Sequence, residues 1–389
     1  MLETVRIENY KSIQKLKLEL GRVTVLIGEN GCGKSNILEA IALASAAADD
    51  KLDNEFLASR GIRVTEPQFM RSAFAIENLV KDIKIELRGN DIQPFICILQ
   101  NENSTYSKWV SKNFLGDIET SIKKAINILI NNYGGPEKIR FILLDETESS
   151  EQELSRLLQD SQLFIKIINL NGFIIYSPEN QALRTFEKEG QIQPLGINGE
   201  GLFKLLKFLT SDDNQEQLNE IKKKLQLIDW FQDFEATPNL SNIQNFLQIK
   251  DRYLDPDITY FDQRSSNEGF LFLLFYFTLF ISDITPKFFA IDNIDASLNP
   301  RLCRRLMQEL VELAKKHDKQ VIFTTHNPAV LDGLDLDDDE QRLFVIYRNQ
   351  LGHTKARRIL KPEPLEGQEP VKLSEAFLRG YIGGLPKNF

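Results

Sequence analysis

Val23 to Ile27 is a near-continuous apolar run of the kind found in strands covered on both faces, and it leads straight into Gly28-Glu-Asn-Gly-Cys-Gly33-Lys34-Ser35. Behind that loop, Ile37, Leu38, Ile41 and Ala44 recur at helical spacing as far as Ala48. Strand, glycine loop and helix in this order leave few folds open. Small glycines let successive backbone N–H groups converge on one point, and the helix N-terminus adds partial positive charge there. Such a loop suits phosphate. Lys34 is then placed to reach the β- and γ-phosphates of a nucleotide, with Asn30, Gly31, Gly33 and Asn36 around them and the Ser35 hydroxyl as a ligand for Mg²⁺.

A loop of this type needs a second metal-ordering acid at the end of a neighbouring strand. Phe288-Phe-Ala-Ile-Asp292 supplies an apolar strand that ends in an aspartate. The next residue is Asn293, whose amide orients water but takes no proton from it, so a general base is missing there or comes from elsewhere, with Asp295 close by. His326 ends the strand-like run Val321-Ile-Phe-Thr-Thr325 ahead of Asn327-Pro328. A histidine at that edge of an α/β sheet is positioned to sense the γ-phosphate.

Composition narrows the class. The chain has 389 residues and a net charge of −9, so no global positive field draws it onto nucleic acid, and any such contact is local. Cys32, Cys97 and Cys303 form no CxxC pair and only three histidines occur, which argues against disulfide scaffolds and Cys/His zinc sites. The opening Met1 to Arg6 lacks the pattern of a secretory leader, and the longest apolar stretch, Phe270 to Ile281, is too short to span a bilayer. A cytoplasmic protein with no membrane contact is expected.

Alternation places strands at Val5–Ile7, Leu16–Leu20, Ile83–Leu87 and Phe95–Leu99. Asp117–Leu129 and Ser150–Leu158 read as helices, Leu163–Leu170 and Phe173–Tyr176 as strands, and Gly201–Phe234 as helical again. From Phe270 onward the reading is helix to Ile281, strand Phe288–Ile291, helix Arg301–His317, then strands Val321–Thr325 and Leu343–Tyr347. This alternation implies a mostly parallel sheet with helices on its faces. Residues 1–100 and 251–389 are expected to form one α/β head, and 101–250 a mostly helical insertion acting as a lid or arm. Asp335 to Glu340 reads as a solvated acidic loop. Lys355, Arg357, Arg358 and Lys361 lie along a basic strand edge that either meets nucleic acid or blocks edge pairing. Ser374 to Gly380 reads as a short helix, and the apolar Tyr381-Ile-Gly-Gly-Leu-Pro386 behind it is expected to contact another subunit or an effector.

The order Gly28–Ser35, Ser265-Ser-Asn-Glu-Gly269, Ile291-Asp-Asn-Ile-Asp-Ala-Ser-Leu-Asn-Pro300 and Thr325-His-Asn327 resembles that of ABC-type ATPase heads. Together with Val5-Arg-Ile-Glu-Asn-Tyr-Lys-Ser-Ile13, it is similar to the branch containing SMC, RecF and OLD proteins. The resemblance covers residues 1–45 and 260–330 most strongly. It implies a P-loop NTPase fold, ATP and Mg²⁺ as cofactors, and an ATP sandwiched between two heads. Asp292 is then the Walker B acid, and Asn293 stands where relatives carry a catalytic glutamate. Ser266, Asn267 and Gly269 would be the signature that faces the partner head's nucleotide, departing from the usual serine-glycine-glycine core. Ala296 to Asn299 would be the D-loop at the dimer seam, Lys11 a phosphate contact, and Gln68, in Thr65-Glu-Pro-Gln68, the glutamine near the metal.

Lys34, Asp292, Asn293 and His326 are thus the candidate catalytic set, and Ser35, Asp292 and Gln68 the candidate metal ligands. The resemblance implies an ATPase that forms an ATP-dependent homodimer or higher oligomer and regulates a separate effector such as a nuclease, in the manner of ATPases from bacterial anti-phage systems, and Asn293 in place of the glutamate makes its hydrolysis slow. The stretch after His326 is too short for the nuclease domain that OLD-like relatives often carry. The alternative is a RecF- or SMC-like ATP-gated clamp in DNA repair or maintenance, with nucleic acid as the partner.

Overall fold

The computed structural model describes residues 1–89, 94–104, 107–115, 170–185, 193–238, 245–258, 260–361 and 371–385. The helices expected over Asp117–Leu129 and Ser150–Leu158, and the strand expected from Leu163, lie outside the described residues. The N-terminal part runs β1 (Leu2–Tyr10), β2 (Ile13–Glu19), β3 (Val23–Ile27), α1 (Lys34–Ala48), α2 (Asn54–Ser59), α3 (Pro67–Met70), β4 (Ile83–Gly89), β5 (Phe95–Gln100) and β6 (Val110–Leu115). The middle holds β7 (Ile175–Tyr176), α4 (Asn180–Thr185), α5 (Leu202–Phe208), α6 (Gln215–Leu225), β8 (Phe231–Pro238), β9 (Asn245–Asp251) and β10 (Phe261–Asp262). There follow α7 (Glu268–Ile281), β11 (Phe288–Ile291), α8 (Pro300–Lys316), β12 (Gln320–Thr325), β13 (Gln341–Arg348), β14 (Thr354–Ile359) and α9 (Leu373–Leu378).

The central sheet has the order β14-β13-β3-β12-β11-β7, parallel throughout except for β14 at one edge. Both faces are covered, which explains the unbroken apolar strands. Val23, Val25 and Ile27 point to one side, where α5, α6, α7 and α8 pack, while Leu26 joins α1 on the other side, beneath a second, antiparallel sheet of order β2-β1-β4-β5-β6. The two faces follow from the period of two along a strand. α7 is apolar all round, because every residue from Phe270 to Ile281 is buried. α8 is instead amphipathic, with Leu306, Leu310 and Leu313 inward.

The middle segment holds strands that were not expected, with β6 paired to β5 and β9 to β8. The helical pattern from Gly201 ends at Leu225, and Phe231 to Phe234 belongs to β8, which pairs with β9 and β10 in a three-stranded antiparallel sheet. Phe231 and Phe234 are spaced as helix neighbours are, but they reach one core through a register shift between Phe231 and Asp233 that breaks strict alternation. No helix among the described residues is long and apolar enough to cross a membrane.

Lys319 is a buried cation within this core. Its ammonium donates to the carbonyls of Ser282 (2.9 Å), Thr285 (3.0 Å) and Pro286 (3.3 Å) and to the Thr285 hydroxyl (2.8 Å), closing the C-terminal end of α7. Burial, with Lys287 nearby, pulls its pKa down to about 7. The unfolded chain therefore holds more protons than the folded one from there up to the ordinary lysine value, and stability rises with pH through that window. Compared with Lys319→Met, the wild type should gain in urea midpoint between about pH 7 and about pH 9.5. Parallel midpoint curves for the two proteins would overturn this assignment.

Candidate functional site

The parallel register brings three strand ends to one edge. Ile27 of β3 lies opposite Thr325 of β12, and Ile291 of β11 opposite Phe323, so the loops that begin at Gly28, Asp292 and His326 leave the sheet side by side. Ligands bind at this edge of open α/β sheets. Asn30, Gly31, Gly33, Lys34, Ser35, Asn36, Asp292, Asn293 and His326 all line one cleft of about 390 Å³, joined by Arg63 and Arg348.

The loop's shape follows from its glycines. Gly33 has φ +105°, and a Cβ there would come within 2.2 Å of the Thr354 hydroxyl and 2.7 Å of that of Ser12. At Gly28 a Cβ would meet the Ile346 carbonyl at 2.1 Å. No other residue type fits either position. Gly33 also leads α1 without a side-chain cap or any acid in the first turn, whereas Asn267 caps α7 and Asn299 caps α8. The first amides of α1 are thus left to a ligand. Ser12 and Thr354 support the loop from behind. Their hydroxyls are 2.6 Å apart, Thr354 donates to the Cys32 carbonyl (2.8 Å), and Asn36 donates to Ser12 (2.6 Å). Arg348 donates to the Gly31 carbonyl at 2.9 Å.

Lys34 is 6% exposed, and its ammonium donates to the carbonyls of Gly28 (2.9 Å) and Glu29 (3.1 Å). Burial lowers its pKa, and the opposing pull of nearby Asp292 is smaller. Cys32 Sγ is 3.9 Å from the same ammonium, with its thiol pKa raised by burial. His326 Nδ1 lies 3.5 Å from Lys34 Nζ, and burial followed by the Lys34 charge holds the imidazole pKa below its usual value.

Ser35 donates to Asp292 Oδ2 at 2.9 Å, and the Thr324 hydroxyl donates to Oδ1. The backbone N–H of Asn293 in turn donates to that hydroxyl at 2.9 Å. Asn293 has φ +57°, a left-handed conformation that asparagine tolerates better than glutamate does. Asp295 accepts from Thr325 at 2.6 Å and does not line the cleft. No group of three or more His, Cys, Asp and Glu placed to hold a metal ion occurs among the described residues, so a metal here would rest on the Ser35 and Asp292 oxygens together with ligand oxygens.

Other sequence-derived residues fall elsewhere. Lys11, at φ +44°, forms an ion pair with Glu39, donates to the Arg63 carbonyl (2.9 Å), and lines an adjoining cleft of about 400 Å³ with Arg63, Arg71, Arg348, Phe69 and Phe74. Ser266 and Gly269 flank the N-terminus of α7, away from the cleft, where a Cβ on Gly269 would approach Leu298 at 3.5 Å and Ser297 at 3.6 Å. Gln68 donates to Glu66 at 2.8 Å and lines neither cleft. Sequence reasoning missed Arg63, Arg348 and Thr354, which approach the loop from distant parts of the chain and belong to no motif, and gave Ser12 no role although it lies within the Val5–Ile13 segment. Thr324 and Thr325 had a visible signal in their position just before His326.

The comparisons with known proteins agree with this fold. The model for the family described as "AAA domain, putative AbiEii toxin, Type IV TA system" matches residues 23–332. An uncharacterised protein of Methanocaldococcus jannaschii, MJECL10, is 42% identical over 67 residues, which are 16% of this chain and 31% of that protein, so the match spans about a third of the relative's length. Among solved structures, an SMC head bound to the C-terminal winged-helix domain of ScpA superposes with a TM-score of 0.56 at 14% identity, covering 92% of this chain and 98% of that one. The SMC head domain of Thermotoga maritima gives a TM-score of 0.49 at 15% identity over 92% and 98% of the two chains. A phosphate loop, a strand-end aspartate and an SMC-head-like fold thus coincide with a family match over most of the sequence, and the chain belongs to this family of AAA domains.

Proposed function

We propose that this chain binds ATP with Mg²⁺ in the Gly28–Ser35 cleft, hydrolyses it slowly, pairs with a second copy in the ATP-bound state, and in that state regulates a separate effector, such as a nuclease, in defence against phage. The observation that carries the reading is the meeting of Ser35 and Asp292 at 2.9 Å below the uncapped start of α1, with an asparagine next to the acid. A serine hydroxyl beside a carboxylate suits Mg²⁺, which takes one or two protein oxygens and completes its shell with phosphate and water. When bound with nucleotide, the ion neutralises charge on the phosphate oxygens.

The chain's own groups divide the remaining work. Lys34 and the first amides of α1 hold the phosphates, with the ammonium exchanging its two carbonyl partners for charged oxygens. His326, uncharged at neutral pH, offers a hydrogen bond at the cleft without adding positive charge. Asn293 orients water and leaves the proton where it is. The adjoining cleft with Phe69 and Phe74 takes the nucleoside end. Ser266 and Gly269 lie apart from their own chain's cleft, so a role at a nucleotide requires a second head.

The effector reading draws on the resemblance to anti-phage ATPases and on the family description, which names a toxin of type IV toxin–antitoxin systems. The DNA-clamp alternative is disfavoured by charge pairing along β14 and just beyond it. Arg358 pairs with Asp339, Lys361 with Asp337, and Arg357 donates to the Ile382 carbonyl, so the acidic loop neutralises much of the basic edge.

Removing the Lys34 ammonium deletes a charge-assisted contact of about 1.5–3 kcal/mol, so Lys34→Ala should weaken ATP binding about ten- to a hundredfold, and Asp292→Ala should abolish its Mg²⁺ dependence. Wild-type affinity for both variants in a calorimetric titration would sink the site. Gly269→Leu should fold normally, since its Cβ has ordinary contact room, but should lose ATP-driven self-association; equal sedimentation with and without ATP in the wild type would count against the dimer. Steady-state turnover should be slow in the wild type, unaffected in Asp295→Ala and faster in Asn293→Glu, because a base contributes about 10²–10⁴ in rate. Rapid turnover that collapses in Asp295→Ala would identify Asp295 as the base instead.

A further inference from the structure

The segment after β14 folds back onto the rear of the nucleotide cleft. Phe377 and Ile382 are buried in the same core as Val330, Leu331, Val345 and Ile359. Within its own chain this tail is thus held by the core. Arg357 donates to the Ile382 carbonyl. At the head of α9, the Ser374 amide and hydroxyl donate to the two carboxylate oxygens of Asp332, at 2.9 and 2.7 Å. Asp332 belongs to the 3₁₀ turn Pro328–Gly333, which begins two residues after His326.

The other end of the segment reaches the phosphate loop. Gly384 has φ +86°, and a Cβ there would lie 2.8 Å from Val345 Cγ1, 3.2 Å from Phe377 Cε2 and 3.7 Å from the Gly28 Cα. Gly28 is the residue whose carbonyl holds the Lys34 ammonium. One short segment therefore bonds to the turn that follows His326 and runs so close to the loop residue that anchors Lys34 that a Cβ on Gly384 would meet it.

We propose that residues 373–385 are a positioning element of the nucleotide site, holding Gly28 and the turn behind His326 at a fixed spacing so that nucleotide affinity depends on their docking. This rests on the reading of the cleft as an ATP site. The close approach of the segment to Gly28 limits where that backbone can sit, and a displacement there moves the carbonyl that aims the ammonium. No residue of the segment touches the nucleotide in this scheme.

The test uses the whole chain and two readouts, ATP binding by calorimetry and backbone amide hydrogen exchange. Gly384→Val drives a side chain into Val345 from a left-handed backbone, and Ile382→Asp places a carboxylate in an apolar pocket. Both should speed exchange in 376–385, with a smaller rise confined to 28–36 and 326–333, and should weaken ATP binding about tenfold. Ile382→Leu should restore docking and affinity together, and Ser374→Ala, which removes a single hydroxyl, serves as the variant least disruptive to folding and should give an intermediate loss. A released tail with wild-type ATP affinity overturns the proposal, as does a tail that stays docked in every variant. Failure of the underlying reading is distinguishable, because the wild type would then bind no ATP or Lys34→Ala would bind it equally well.

Discussion

The site depends on the parallel register of β3, β11 and β12. The pairing of Ile27 with Thr325 and of Ile291 with Phe323 sets Gly28 level with His326 and Asp292 beside Thr324, and in that register Ser35 reaches Asp292. A slip of one residue would turn every side chain of a strand to the opposite face, putting Leu26 among the helices and Val25 against α1. Burial of both sheet faces makes such a slip costly. The apolar core thus fixes, to within a residue, where three polar loops emerge.

Electrostatic order around the cleft is set before any ligand arrives. Glu39 on α1 is 1% exposed, and its carboxylate takes Lys11 on one oxygen, with Tyr10 at 3.1 Å, and Arg63 at 2.5 Å on the other. A buried carboxylate between two cations is satisfied by its partners, and it leaves the cluster with net positive charge facing the two clefts. Fixed charges of this kind need little rearrangement when an anion binds.

Much of this was legible from local order along the chain. The β3–loop–α1 unit is contiguous, so its period and its glycines declare it, and Asp292 and His326 each end an apolar strand that needs no partner to be recognised. The strand at Phe231 was not legible, because a register shift disguises its alternation as helical spacing. Ser12 and Thr354 support the phosphate loop from opposite ends of the sequence, and Thr354 displays no chemistry until Gly33 is seen to leave no room beside it. Asn293 was visible as the absence of an acid; its left-handed backbone, which adds a conformational reason for asparagine, was not.

Cys32 sits inside the phosphate loop, yet its thiol is buried against Gly28 and Lys34 and its pKa is raised. Cys97 and Cys303 are buried too, with thiol pKa values pushed up to about 12 and about 11. Thiolate is the form that reacts with oxidants and alkylating agents, so none of the three is poised to react while the fold is closed. The phosphate loop is consequently shielded from thiol chemistry while it is closed, and modification of Cys32 by a thiol reagent would act as a clock for how often the loop opens.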